Sequence, residues 1–268
     1  MEIGEAVGAF NQITTAKSMC KLKDEPEPQD WQCRIGTANP GDLEKPTAAR
    51  LNENMKKAGV FTPSDPDKKG GFWDLDKCTG SAFPYQSHHI VPKMHLPGHA
   101  VCKWLAKKAK GGKYKLKVST NYDTDSARNG ISLPFASNTY QWKHAKNELE
   151  KAQICADLMT KTGGLQLHQG SHTYEDYAEE DGLHSVEGVG YLGAIDKLLN
   201  VIDEQTELHV EKCEDCKKSK TEPIEIRPLE SVVEAMYQVS GIMEINIRTY
   251  KRFVSERAAL HFGFKGTP

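Results

Sequence analysis

The 268-residue chain has no apolar run long enough to cross a membrane, which takes about 20 consecutive apolar residues. Its first ten residues carry Glu2 and Glu5 where a secretory leader carries basic residues, so we expect no signal peptide. Internal repeats and long low-complexity tracts are also lacking. These absences predict a folded protein that is made in the cytoplasm, with no membrane among its partners.

The chain also lacks the excess of basic residues that is typical of nucleic-acid binders, since its formal net charge is −2. The charge is unevenly distributed, however, and seven lysines fall between Lys103 and Lys117. In a strand predicted to begin near residue 114, Lys113, Lys115 and Lys117 alternate with apolar residues, so one face is cationic. This face is suited to a nucleic-acid backbone, and a merely solvated face is the competing interpretation.

The seven cysteines lack an even disulfide framework. Cys213 and Cys216 form a CxxC pair, which is half of a zinc site. Cys20 and Cys33 are the candidates for the other half, and the four together would hold a structural Zn²⁺. Two other interpretations stay open: a redox-active or disulfide-forming pair and, for Cys102 and Cys155, simple buried thiols.

Two adjacent histidines, His88 and His89, lie near the end of a predicted strand, shortly before Pro92. Successive side chains of a strand point to opposite faces, so the two rings are sorted to different surroundings. One imidazole can then hold a cation while its neighbour takes a proton from water, which is the division of labour that phosphodiester cleavage needs. Without further partners, the pair would be two ordinary strand-end histidines.

A second pair, His168 and His172, is spaced by four residues, which would place both rings on one helical face and within reach of one ion. Neutral imidazole suits Zn²⁺ and Ni²⁺, and Mg²⁺ is compatible where a phosphate supplies further oxygens. Two exposed histidines at the start of a helix are the alternative.

The dipeptide Asn129-Gly130 predicts a tight turn before a short apolar strand. The amide of Asn129 can form hydrogen bonds to the histidine loop and orient the ring that acts as base. Alone, the dipeptide is also ordinary turn chemistry.

Four segments, in this order, resemble the AHH family, a branch of the HNH/endonuclease VII (ββα-metal) nucleases found largely as toxin domains of bacterial polymorphic and contact-dependent secretion systems. They are a leader helix within 49–60, the His-His-Ile-Val-Pro stretch 88–92, the Asp-x3-Asn-Gly-x2-Leu-Pro segment 125–134 and the His-x3-His motif 168–172. The resemblance covers residues 49–180.

The resemblance implies an α+β fold in which a small ββα-metal nuclease core is embedded in a mostly helical domain. It implies His89 as general base and Asn129 as the residue that orients the histidine loop. It implies His88, His168 and His172 as ligands of a divalent metal, Mg²⁺, Zn²⁺ or Ni²⁺. The substrate would be DNA, cut with little sequence specificity.

The same resemblance implies an antibacterial effector toxin that is made in the bacterial cytoplasm and delivered into the cytoplasm of a target cell by a specialised secretion system. A secretion-system carrier and a cognate immunity protein would be its partners. Two alternatives stay open. One is a non-catalytic, zinc-stabilised module that binds nucleic acid or protein, and the other is a housekeeping HNH endonuclease of a phage or restriction system.

Three segments are predicted along the chain. Residues 1–48, rich in Pro, Gly and charge, resemble a linker or adaptor; residues 49–180 form the nuclease core; residues 181–268 form a helical extension that packs on the core. The apolar periodicity of this extension predicts helices after residue 190. Helices are also predicted at 98–110 and, as an insert in the core, at 142–161.

Overall fold

The computed structural model describes residues 47–60, 72–74, 82–107, 109, 112–135, 140–161, 165–168, 190–213, 222–249 and 254. These residues fall into two compact units. The histidine unit comprises the described residues within 48–90, 130–194 and 243–254, and the asparagine unit comprises those within 47, 91–129 and 195–242. Each unit is thus assembled from three separated stretches of the chain.

The described residues combine helices and small sheets, which confirms the predicted α+β class. The α-helices are α1 (Ala48–Lys57), α2 (Tyr140–His144), α3 (Glu148–Lys161), α4 (Tyr191–Lys212) and α5 (Glu230–Arg248). The strands are β1 (Phe72–Asp74), β2 (Ala82–His89), β3 (Tyr114–Leu116), β4 (Gly130–Pro134) and β5 (Ile224–Ile226). Short 3-10 helices span Leu96–Gly98, Ala100–Trp104 and Ala127–Asn129. None of the described helices is both long and apolar enough to span a membrane.

The histidine unit contains an antiparallel sheet with the strand order β1-β2-β4. The pairing of β2 with β4 places His89 opposite Gly130. The leader helix predicted from the sequence is present as α1, and its buried residues Leu51 and Met55 lie against the start of β4. A Cβ atom at position 130 would lie 2.6 Å from the Met55 sulfur. Glycine therefore permits the close approach of α1 to the sheet.

The tight turn expected at Asn129-Gly130 is not formed. Asn129 ends a 3-10 helix, and Gly130 is the first residue of β4 and does not have a positive φ. The dipeptide predicted a hairpin turn because Asn and Gly tolerate left-handed backbone. Here the asparagine contributes the hydrogen bonds of its side-chain amide, and the glycine allows a close approach of α1 because it has no side chain.

The asparagine unit contains a parallel pair formed by β3 and β5, in which Lys115 lies opposite Glu225. The side chains of Trp104 and Tyr122 are fully buried in this unit. The helix predicted at 98–110 is replaced by two 3-10 helices. His99 has extended backbone between them, and its Nδ1 accepts a hydrogen bond from the Val101 N–H, which caps the second helix.

The insert predicted as one helix at 142–161 is two helices, α2 and α3, separated at residues 145–147. Asn147 caps α3, because its Oδ1 accepts a hydrogen bond from Glu150 N at 2.9 Å. The Glu150 carboxylate in turn accepts from Lys146 N at 2.7 Å. An Asn followed three residues later by a Glu is a signal for the start of a helix. Here it starts α3 and divides into two the single helix that the apolar periodicity predicts.

Helices are present in the C-terminal part of the chain as predicted. Tyr191, Ile195, Leu198 and Ile202 form the buried stripe of α4. The sequence predicts two separate apolar stripes, within 229–237 and 243–247. Both belong to the single helix α5, except that Leu229 lies just before its first residue.

Candidate metal centre

The alternation of β2 places His88 and His89 on opposite faces of the sheet, as predicted. His89 shares a face with its cross-strand partner Gly130, and α1 covers that face. His88 lies on the other face, where its ring contacts those of His168 and Tyr191. Both histidines of the pair are buried, with exposed fractions of 4% and 7%.

The rings of His88 and His168 meet although 80 positions separate them in the sequence. Their centres are 4.7 Å apart, and the planes are inclined by 55°. Two imidazoles that bind one zinc ion have ring centres roughly 4.5 to 5.5 Å apart, because each Zn–N bond is about 2.1 Å long. The spacing of this pair therefore fits two ligands of one cation.

His168 reaches this position from a stretch without regular secondary structure rather than from a helix. Residues 165–168 have no regular secondary structure, and the backbone N–H of His168 donates to the Pro134 carbonyl at the end of β4. The helical face predicted for the His168/His172 pair is therefore not present at His168. His172 lies outside the described residues. Within the described part of the chain, no group of three or more His, Cys, Asp or Glu side chains is placed to hold a metal ion.

Two polar side chains that the sequence analysis did not single out contact the paired rings. Gln86 Oε1 lies 2.6 Å from His168 Nδ1. The hydroxyl of Tyr191 lies 3.2 Å from His88 Nε2 and donates to the Ile90 carbonyl. Gln86 precedes His88 by two residues, so strand alternation predicts that the two share a face. No local pattern predicts the contact of Tyr191, which is about a hundred residues away in the chain.

The face that carries His89 is also polar. Ser87 and Ser132 are cross-strand partners on this face, and both are buried. Among the described residues, neither hydroxyl has a hydrogen-bond partner. On the same face, the Tyr85 hydroxyl donates to Asn52 of α1 at 3.0 Å. His89 therefore lies in a buried and polar layer between the sheet and α1.

The Asn129 side chain is fully buried in the asparagine unit and fixes the loop that follows the histidines. Its Oδ1 accepts from Val91 N at 2.8 Å and from Ser240 Oγ at 2.7 Å. Its Nδ2 donates to Val91 O at 3.1 Å and to Thr124 O at 2.9 Å. These four bonds satisfy the full hydrogen-bonding capacity of the amide. Val91 is two residues beyond His89, so the bonds lie where the sequence predicted them.

The predicted cationic strand face is present in the asparagine unit. Lys113, Lys115 and Lys117 are exposed, whereas Tyr114 and Leu116 between them are buried. Carboxylates reduce the positive charge of this face: Glu211 lies 3.1 Å from the Lys113 ammonium, and Glu225 is the cross-strand neighbour of Lys115. Hydrogen bonds to Tyr114 and Glu211 raise the pKa of Lys113. Lys113 thus keeps its charge, and the nearby carboxylates make the net positive charge of the face smaller than the lysines alone predict.

A cluster that the sequence analysis did not single out surrounds Asp196 in the asparagine unit. Its carboxylate lies 2.6 Å from His95 Nε2 and 3.8 Å from His99 Nε2. The Nδ1 of His99 accepts from Val101 N, so neutral His99 carries its proton on Nε2, which faces Asp196. That tautomer offers the carboxylate a donor and has no lone pair for a cation on that side. The cluster therefore joins structural elements rather than forming a metal site.

Cys213 is disulfide-bonded, which is one of the alternatives that the sequence left open to a zinc site. A sulfur in a disulfide does not act as a thiolate ligand. Cys20, Cys33 and Cys216 lie outside the described residues. Cys102 is a free, buried thiol that donates to the Leu96 carbonyl, and burial raises its pKa to about 12. This agrees with the interpretation of Cys102 as a structural thiol.

Comparison of the chain with protein-family models, with curated proteins and with solved structures finds no match in any of the three sets.

Proposed function

We propose that the protein is a metal-dependent endonuclease that hydrolyses DNA with little sequence specificity. The observation that carries the proposal is the contact between His88 and His168, whose ring centres are 4.7 Å apart. Because these residues are remote in sequence, their meeting is a tertiary feature and not a by-product of local spacing. His172 would complete the ligand set. Contacts with backbone phosphates rather than base edges would leave sequence preference slight.

A divalent cation at this centre, Mg²⁺, Zn²⁺ or Ni²⁺, would polarise the scissile phosphate and stabilise the charge on the leaving oxygen. His89, which lies on the face of β2 opposite to His88 and under α1, would take the proton of the attacking water through a ring nitrogen. Asn129 holds the backbone that follows His89 by both polar groups of Val91, which limits the positions that the base can adopt. Lys115 and Lys117 would contribute charge that attracts the DNA backbone.

Biological context follows from the family resemblance alone. A nuclease of this type would be a secreted antibacterial effector that a specialised secretion system delivers into the target cell's cytoplasm. The producing cell would need an immunity protein that blocks the catalytic centre. A housekeeping phage or restriction endonuclease would use the same residues without such a protein.

Plasmid cleavage by the purified protein tests the proposal. We expect nicking and linearisation with Mg²⁺, Mn²⁺, Ni²⁺ or Zn²⁺ and none with EDTA. His89→Ala should reduce the cleavage rate by about 100-fold or more, since a positioned general base contributes roughly 10²–10⁴. His144→Ala, at an exposed histidine of α2, is the matched control and should cleave at the wild-type rate. Undiminished cleavage by His89→Ala would exclude this residue as the base.

A second function, a non-catalytic binding module with a structural zinc, is favoured by the burial of His88 and His89. A closed site saturates the cation with protein ligands and leaves no position for water. This alternative predicts that zinc stabilises the fold while plasmid DNA stays intact with every cation. Thermal melting with and without zinc, beside the cleavage assay, separates the two functions.

A further inference from the structure

Gln86 and Tyr191 contact the two paired imidazoles from within the histidine unit, one residue to each ring. A histidine that ligates a metal usually donates its second N–H to a carbonyl, carboxylate or other acceptor, and this bond fixes the tautomer and orientation of the ring. The chemistry of Gln86 and Tyr191 determines which of them accepts a hydrogen bond, and therefore which nitrogen of each ring carries the proton.

The partner atom in Gln86 is the amide oxygen, which can only accept. The nitrogen that faces it at 2.6 Å, Nδ1 of His168, must therefore carry the proton. In the neutral ring, the lone pair then belongs to Nε2. Gln86 thus selects the tautomer in which His168 offers Nε2 to a cation.

Tyr191 acts on His88 through a hydroxyl, which has one proton and two lone pairs. That proton is donated to the Ile90 carbonyl. The hydroxyl oxygen, 3.2 Å from His88 Nε2, is then left as an acceptor for the ring N–H. The lone pair of neutral His88 accordingly belongs to Nδ1. The two histidines would therefore offer unlike nitrogens, Nδ1 from β2 and Nε2 from the stretch at 165–168.

We propose that Gln86 and Tyr191 are positioning residues that hold His168 and His88 in opposite tautomers, so that one nitrogen of each ring is presented to a divalent cation. This inference rests on the metal centre of the proposed function. Gln86 and Tyr191 do not touch substrate or metal, and they act through the two rings. Loss of such a partner commonly weakens metal affinity by about 10–100-fold.

The test begins with the metal-free protein. Two-bond ¹H–¹⁵N spectra of the imidazoles, assigned with His88→Gln and His168→Gln, identify the protonated nitrogen of each ring. We expect Nδ1–H at His168 and Nε2–H at His88 in the wild type at pH 8. Gln86→Leu should mix the tautomers of His168 only, and Tyr191→Phe those of His88 only. Gln86→Glu, which keeps an acceptor oxygen, should preserve the wild-type tautomer of His168.

Calorimetric titration with Ni²⁺ and Zn²⁺ supplies the second readout. We expect Gln86→Leu and Tyr191→Phe each to bind about 10–100-fold more weakly than the wild type, and Gln86→Glu to bind at least as tightly. Tyr85→Phe is the matched control, because it removes a tyrosine hydroxyl on the opposite face of the same strand. It should leave the affinity unchanged, and circular dichroism melting should show all variants folded.

Wild-type tautomers opposite to those expected, or variants with unchanged tautomers and affinity, would overturn the inference. Its failure is distinguishable from failure of the proposed function. A protein that shows these metal and tautomer effects but leaves DNA intact supports the positioning roles and refutes the nuclease. If Gln86→Leu and Tyr191→Phe cleave DNA as fast as the wild type and bind the metal with unchanged affinity, the positioning roles alone are refuted.

Discussion

Asn129 binds Val91 through both polar groups of its backbone, with the amide oxygen 2.8 Å from Val91 N and the amide nitrogen 3.1 Å from Val91 O. A side-chain amide thereby pairs with the backbone N–H and C=O of one residue, as a residue of a neighbouring antiparallel strand does. Ser240 and Thr124 complete its contacts. This arrangement fixes the backbone of the segment that follows the histidines at Val91.

Replacement of Asn129 by alanine should lower the free energy of unfolding by at least about 3 kcal/mol, because each buried group left without a partner costs roughly 1–3 kcal/mol. Ser240→Ala removes only one of the four bonds and should cost about 1 kcal/mol. Urea denaturation measures both values. Equal losses for the two variants would show that the amide is not the centre of this network.

His99 should make the fold less stable in acid. Burial, the largest effect, lowers its pKa, although Asp196, Asp203 and a hydrogen bond to Asn200 oppose that shift and His95 adds to it. The unfolded chain, in which histidine has a pKa of about 6.5, therefore binds more protons than the folded protein as the pH falls below that value. Stability should decrease over this window and level off below the folded pKa.

The variant His99→Asn isolates this effect, since an Asn oxygen can accept the hydrogen bond from Val101 N and does not titrate. Urea midpoints measured at pH 7.5 and pH 5.5 should fall by less in His99→Asn than in the wild type. The same decrease in both proteins would assign the acid sensitivity to other groups.

Under the proposed function, the lysines of the β3 face should differ in their contribution to DNA affinity. Lys113 already has Glu211 as an ion-pair partner, whereas Lys117 is exposed beyond the strand. We expect Lys117→Ala to reduce the slope of log affinity against log salt concentration by about one, and Lys113→Ala to change it little. Fluorescence anisotropy of a labelled duplex at several KCl concentrations gives both slopes. A larger loss with Lys113→Ala would reverse this ranking.

Cys102 should resist alkylation in the native protein. Its thiol is buried, and its pKa of about 12 leaves almost no reactive thiolate at pH 8. Peptide mapping after iodoacetamide treatment should find Cys102 unmodified in buffer and modified in about 8 M urea, a concentration at which small domains are generally unfolded. Rapid labelling in buffer would indicate local opening around the 3-10 helix Ala100–Trp104.

The periodicity of the sequence predicted the orientation of side chains on the strands and the presence of several helices. The opposite orientations of His88 and His89 and the alternating lysines of β3 follow from strand geometry, whereas the helix α1 was expected from the family resemblance. Apolar periodicity also predicted the C-terminal helices. It did not predict the breaks within the segments 142–161 and 98–110, because it does not register a cap such as Asn147 or an extended residue such as His99.

Contacts between remote segments were mostly beyond local patterns. The resemblance predicted that His88 and His168 lie together as ligands of one metal, and the amide of Asn129 was expected to reach the loop after the histidines. Tyr191 could not be anticipated, since its polar contact depends on where α4 begins relative to the end of β2. Strand periodicity predicts that Gln86 shares a face with His88. Its hydrogen bond to His168 could not be predicted in this way, because tertiary structure places His168 beside it.

The close approach of α1 at Gly130 constrains this position, because any larger residue would require the Met55 and Leu51 side chains to move. Every other residue type begins with a Cβ atom, which would lie 2.9 Å or less from atoms of Met55 and Leu51. A saturation library should therefore favour glycine at position 130, while Gly98, whose added Cβ would meet nothing within 4 Å, should accept many substitutions. A naturally diverged sequence with alanine at 130 would need a smaller residue at 55, so the two positions should change together.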